Sequence, residues 1–249
     1  MKARLLALSL AALVVSSSAA AAQPEVVPLL SVAGAPFSGV RSQQSAKNFV
    51  DGNRIDRGGS VRLYRDGRGR TRVERDLPAE VVAANPQIDL TQIVINDAVT
   101  GERIELRPKS RTAFVIKGRA AGAIPRPTAP PGVFLTFAGR FHGPDDAGWA
   151  PPVSLGEKSI DGLRAIGARR EYTLPVGAIN NEKPVKITVE QWYSPDLALI
   201  VKKSAKASLG GELDQEVENI VQGEPDPTLF TIPPDYSRVE AGGQVTATH

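Results

Sequence analysis

The stretch "SVRLYRDGRGRTRVERDL" (60–77) alternates in period two on both sides of an Asp-Gly turn. Val61 and Leu63 fall on one side of the chain and Arg62 and Tyr64 on the other. After Asp66-Gly67, Thr71 and Val73 oppose Arg72 and Glu74. This period suits a strand with one buried and one wet face, and the turn between the two arms makes a hairpin. The form recurs. In "QIVINDAVTGERIEL" the arms flank Thr100-Gly101, and "RPKSRTAFVI" adds a further strand. In the second half "LRAIGARREYTLP", "VKITVEQWY" and "LALIVKKS" read as strands joined by turns. In "GELDQEVENIVQG", Leu213, Val217 and Val221 lie four apart, which fits helix or strand. The preceding Gly210-Gly211 turn favours strand. One helix is expected, in "DLPAEVVAANP", with Asp76 as its cap. Residues 24–50 carry little pattern. The expected fold is mainly β: a curved antiparallel meander sheet, an open half-barrel, with few short helices.

The start of the chain sets the expected compartment. Lys2 and Arg4 precede eleven residues without a charge, "LLALSLAALVV", and Ala20-Ala21-Ala22 completes a small-residue exit before Gln23. This reads as a secretory signal peptide over residues 1–22, cleaved after Ala22. The run falls short of the roughly 20 residues that span a bilayer, so no transmembrane segment is expected in the mature chain. Residues 23–237 then form a single antiparallel β domain, and 238–249 a disordered tail. Within the domain, 118–150 is a loop rich in Pro and Gly. The location is periplasmic or secreted.

Charge and cysteine content remove several functions. Taking Lys2 and Arg4 from the 30 basic residues leaves 28 against 27 acidic ones, a net charge of +1. That balance gives no footprint for nucleic acid. With no cysteine, disulfides, thiolate metal sites and a cysteine nucleophile are excluded. Of the two histidines, His142 lies near Asp145 and Asp146 in a loop. Residues of this kind in a loop suit turns better than a metal site, and no nucleophile-elbow or phosphate-loop motif accompanies them. No catalytic residue, cofactor or metal is assigned. Arg65, Arg68, Arg70, Arg72 and Arg75 suit either an anion site or a solvated hairpin tip paired with Asp66, Glu74 and Asp76; the tip is favoured. Trp192-Tyr193 suits a ligand anchor or the cover of a sheet edge.

The chain closes with "QGEPDPTLFTIPPDY" (222–236). Pro225 and Pro227 exclude a central strand. Leu229, Phe230 and Ile232 suit a short edge segment pinned to the core, which Pro233-Pro234 ends. This closing motif follows "GEKSIDGLRAIGARREYTLPVGAINNEKPVKITVEQWYSPDLALIVKK". Together they resemble a group of secreted bacterial proteins that end in the same way, over most of residues 36–237. More distantly, the "IDG" strand, the "WYSPDL" turn and "PDPTLFTIP" resemble the LolA/LppX/RseB-like superfamily. That resemblance implies a curved antiparallel sheet and a non-catalytic exported protein that holds an acyl chain, lipoprotein or apolar peptide on the concave face. Aliphatic strand residues would line the site. Val133, Phe134, Leu135 and Phe137 would cover it, with Trp192 beside them. The partners expected are a lipid, a lipoprotein or an envelope protein. A second reading is an envelope interaction module with a filled core. A third is a hydrolase built on His142.

Overall fold

The computed structural model describes residues 29–49, 51–126, 149–178 and 180–240. The signal segment, Val133–Phe137, His142, Asp145, Asp146 and the tail beyond Glu240 lie outside the described residues. The described strands are β1 (Phe37–Asn48), β2 (Arg54–Arg65), β3 (Thr71–Asp76), β4 (Thr91–Asp97), β5 (Glu102–Arg107), β6 (Thr112–Lys117), β7 (Val153–Ile160), β8 (Leu163–Leu174), β9 (Val185–Ser194), β10 (Leu199–Ala207), β11 (Gly211–Gln222) and β12 (Ser237–Glu240). They form one open, curved sheet in the order β12-β6-β5-β4-β3-β2-β1-β11-β10-β9-β8-β7. The mainly β, mainly antiparallel architecture is as expected.

Two hairpin series build this sheet. β1 to β6 run as one meander and β7 to β11 as another, and they fuse where β1 pairs antiparallel with β11. β1 therefore sits mid-sheet, although its residues showed little pattern in the sequence. β11 is a strand, as its glycine turn suggested. The expected helix is present as α1 (Ala79–Ala84), but Asp76 does not cap it. Asp76 ends β3 instead, where its carboxylate accepts hydrogen bonds from the Arg62 guanidinium and from Thr91 Oγ1.

The Pro-rich ending is a strap that crosses strands, not an edge segment followed by a tail. Glu224 accepts from the Gly67 amide at the β2–β3 turn. Asp226 caps a 3-10 turn (Pro227–Phe230) by accepting from the Thr228 amide, and Pro227 occupies the first turn where no donor is needed. The Leu229 carbonyl accepts from Arg72 Nη1, and the Arg70 guanidinium lies over the Phe230 ring. Ile232 and Tyr236 pack on Ile95, Ile104, Leu106, Ala113 and Val115. Ser237 then starts β12, parallel to β6, so residues 238–240 belong to the sheet and not to a tail. By this route the strap covers one face of β3 to β6.

The other face is held at mid-sheet by Arg65. This side chain is 0% exposed. It donates to the carbonyls of Ala35, Leu30 and Leu197, and its guanidinium stacks on Phe37. The planar fork thus ties the arm before β1 and the β9–β10 turn to β2. Burial pushes its pKa down to about 10, with Tyr193 opposing. The expected ion pairs form at Arg70 with Asp66 and at Arg72 with Glu74, but they are buried rather than solvated, with Asp66 4% and Arg72 9% exposed. Arg65 departs further, since it makes no such ion pair and its partners are main-chain oxygens.

Arg65→Met is expected to lower unfolding stability by roughly 2–4 kcal/mol, because three carbonyls lose their donor. Arg65→Lys should not restore it, since one ammonium does not span the fork. Urea unfolding decides this, and a lysine variant as stable as wild type would show that charge alone suffices. Phe230→Ala should cost about 3–5 kcal/mol by opening a cavity under the strap. In limited proteolysis, cleavage within 222–236 should then precede global unfolding.

Candidate ligand-binding face

Strand register places the side chains of the face opposite the strap in cross-strand rows, because directly paired residues project to the same side. One row runs Leu63–Val73–Val94–Glu105–Phe114–Val239 across β2 to β6 and β12. Exposure rises along it, from 0% at Leu63 to 37% at Phe114 and 40% at Val239. It forms an apolar track from the core to the open edge, broken only by Glu105, which pairs with Arg103 and Arg107.

The next row is Val217–Arg41–Val61–Arg75–Gln92, across β11 and β1 to β4. Beyond it lies Gln191–Lys203–Gln215–Gln43–Gly59. A third neighbouring row, Val189–Ala205–Leu213–Ser45–Arg57, returns to apolar character at its β9–β11 end. A polar band with three cations is therefore bounded by apolar side chains on both sides.

The band is dry for its charge. Lys203 is 7% exposed and Gln191 is buried. Gln215 Nε2 donates to Gln43 Oε1 at 2.6 Å. Burial pushes the Arg41 guanidinium down to about 10 and lowers Arg75. The Lys203 ammonium is lowered first by burial and then by the positive charge of Arg41. In each case desolvation disfavours the charged form. Arg41 and Lys203 stand on strands separated by β11, about 10 Å apart across the sheet and offset by one row.

Among the sequence-derived site residues, only Trp192 is described. Strand alternation turns it away from Gln191, over Gly167 of β8. A Cβ on Gly167 would lie 2.6 Å from the indole, so the glycine makes room for the ring. Lys158 Nζ sits 3.8 Å above the ring centroid. Trp192 is thus packed between protein groups and covers the backbone next to the sheet edge. Sequence reasoning did not single out Arg41 or Lys203. Their signal was a charged residue at a position that the strand alternation assigns to the inner face: Lys203 falls in register with Val201 and Ala205. Among the described residues no cluster of His, Asp and Glu suits a metal ion.

No family model matches the chain, and no curated protein matches it. Solved structures similar to it include a LolA superfamily protein from Nitrosomonas europaea, at 10% identity and a TM-score of 0.34, covering 80% of this chain and 90% of that one. LprF from Mycobacterium bovis aligns at 14% identity and a TM-score of 0.34, covering 82% and 91%. Lipoprotein LppX from Mycobacterium tuberculosis aligns at 16% identity and a TM-score of 0.30, covering 78% and 89%.

Lys203→Met should raise the melting temperature of the ligand-free protein at pH 7 by about 2–4 °C, which corresponds to about 1 kcal/mol in a domain of this size. The wild-type lysine is buried with its charged form disfavoured. That cost is fully present below its lowered folded-state pKa and fades as pH rises towards the unfolded value of about 10.5. The gain should therefore shrink between neutral pH and pH 10.5 in thermal melts. A loss of stability at pH 7 would contradict the sign.

Proposed function

We propose that the chain is an exported binding protein without catalytic activity, and that it holds an acyl chain along the Leu63–Val239 track. One observation carries this reading. A row of aliphatic and aromatic side chains leaves the core and continues, half-exposed, to the open end of the sheet. Exposed apolar surface of this kind marks a binding surface. A flexible hydrocarbon fits it, since neighbouring strands about 4.8 Å apart present a side chain for every few methylenes. The pattern of the first 22 residues supports export, where lipids and lipoproteins are the available apolar cargo. Val133, Phe134, Leu135 and Phe137 are assigned as the cover of the bound chain on their composition, and the packed Trp192 as a fixed support at the sheet margin.

The test is native mass spectrometry of protein purified from the exported fraction, followed by denaturation and lipid analysis. A near-stoichiometric acyl species is expected, and Phe114→Glu should weaken its retention at least tenfold with little change in melting temperature. A bare mass that does not shift when long-chain lipids are added would overturn the reading. It would leave the sheet as an interaction module of the envelope.

A further inference from the structure

We propose that the end of the sheet formed by the β1–β2, β10–β11 and β8–β9 turns docks on an anionic lipid surface, with Phe49, Leu209 and Val176 entering the headgroup region and the cations behind them meeting the lipid charge. The inference does not rest on the acyl-binding reading.

Strand register brings the three turns to one end. Lys47 of β1 pairs with Gly211 of β11, Gly211 with Ala207 of β10, Ala207 with Ile187 of β9, and Ile187 with Tyr172 of β8. The turns beyond this row therefore stand side by side, over about 19 Å from β1 to β8. The end also projects. β3 pairs with β2 only from Val61 onward, so Arg54–Ser60 of β2 run about 23 Å past it, and each of these seven residues is exposed.

Turn tips usually carry Gly, Asn, Asp or Ser. Here Leu209 is 61%, Val176 60% and Phe49 38% exposed, one in each turn. At the other end of the same strands the turns are packed: Leu197 and Ala198 of the β9–β10 turn and Asp66 of the β2–β3 turn are buried. The main chain of the exposed tips is satisfied internally. Phe49 donates to the Asn53 carbonyl, Gly52 to Phe49, Asn48 to Gly210, Gly210 to Ala207, Ser208 to Lys186 and Gly177 to Asn181. The tips can thus leave bulk water without stranding these amides.

Charge selects a lipid surface as the occupant. Residues 47–57, 175–186 and 206–212 hold six basic side chains against four acidic ones, Asp51, Asp56, Glu182 and Glu212. Asp56 and Glu212 are taken up by Arg54, and Glu171 takes up Lys186. Lys47, Arg57, Lys183 and Lys206 are exposed and make no ion pair among the described residues. Strand parity puts Lys47 and Arg57 on the face opposite Lys206, so cations stand on both sides of the end. They lie a few residues behind the apolar tips, and Lys47 Nζ sits 4.9 Å from the centre of the Phe49 ring. Apolar tips backed by cations match the acyl boundary and the anionic headgroups of a bilayer.

The test is flotation of the delipidated full chain with vesicles of phosphatidylcholine alone and of an equimolar mixture with phosphatidylglycerol. Wild type should partition about tenfold or more strongly onto the mixed vesicles, and raising NaCl from about 0.05 to about 0.5 M should remove most of that difference. Leu209→Asp and Val176→Asp should each weaken partition about tenfold. Both side chains are mostly exposed, so both variants should keep the wild-type melting temperature. Lys206→Glu should lower partition onto the mixed vesicles alone. Val99→Asp, at an exposed turn of the opposite end, and Phe114→Glu on the apolar track should leave partition within about twofold. Equal partition onto the two vesicles would overturn the proposal, as would tip variants that partition like wild type. Loss in Phe114→Glu with the tip variants unaffected would assign vesicle binding to the track and overturn the docking end. Partition onto neither vesicle would also overturn it, leaving the tips as a contact for protein and the acyl reading untouched.

Discussion

The pairing of β1 with β11 is the contact on which the rest of the molecule depends. It joins residues 174 positions apart, such as Ser42 and Glu216, and turns two separate meanders into one sheet. Each meander alone is a short ladder of local contacts. Joined, they place Arg41 of the first and Lys203 of the second on the same face of the sheet, on the two strands that flank β11. Long-range strand pairing carries a larger loop-closure cost than a hairpin, and it is met here by several devices at once. Arg65 anchors the arm that leads into β1, Phe37 fills the centre of the core, and Gly39 lets Val217 and Ile220 pack close.

The two faces of the first meander are treated differently. One is sealed by the chain's own ending, with prolines that stop the strap from becoming a strand and apolar residues that fix it to β4–β6. The strap does not run over the other face, where the Leu63–Val239 row emerges. Arg62, Arg72, Glu74 and Asp76 lie on the strapped face and satisfy one another and the strap. Arg41, Arg75 and Lys203 lie on the opposite one. Division of charge by strand parity explains how a chain with almost balanced charge still presents a local concentration of cations. The net charge of the sequence carries no trace of it.

The hairpins were legible because each obeys a local rule. The Asp66-Gly67 turn, the Thr100-Gly101 turn and the alternation of Val185, Ile187 and Val189 required no knowledge of the remainder of the chain. β1 was not legible. Its residues on the face opposite the strap are Phe37, Gly39, Arg41, Gln43 and Ser45, so the expected apolar alternation is replaced by polar groups. The ending was misread for a related reason. Phe230, Ile232 and Tyr236 signal burial, but nothing local states that they cross strands rather than join the edge. β12 follows from that crossing, because only a strap ending beside β6 brings Ser237 to Arg111.

This pattern of misses has a physical meaning. A chain selected for stability alone would continue the Val201, Lys203, Ala205 alternation with an aliphatic residue at 203, and would place a branched side chain at 41 between Val61 and Val217. Both positions instead hold long cations whose burial disfavours their charge. Groups that oppose the local folding preference mark function more reliably than groups that agree with it. The same argument separates Arg65 from Arg41. Arg65 is deeper, but its donors end on three backbone oxygens and its cost is offset by tying two loops to the sheet. Arg41 and Lys203 instead stand on two strands with β11 between them, and the positive charge of Arg41 adds to burial in disfavouring the charged form of Lys203.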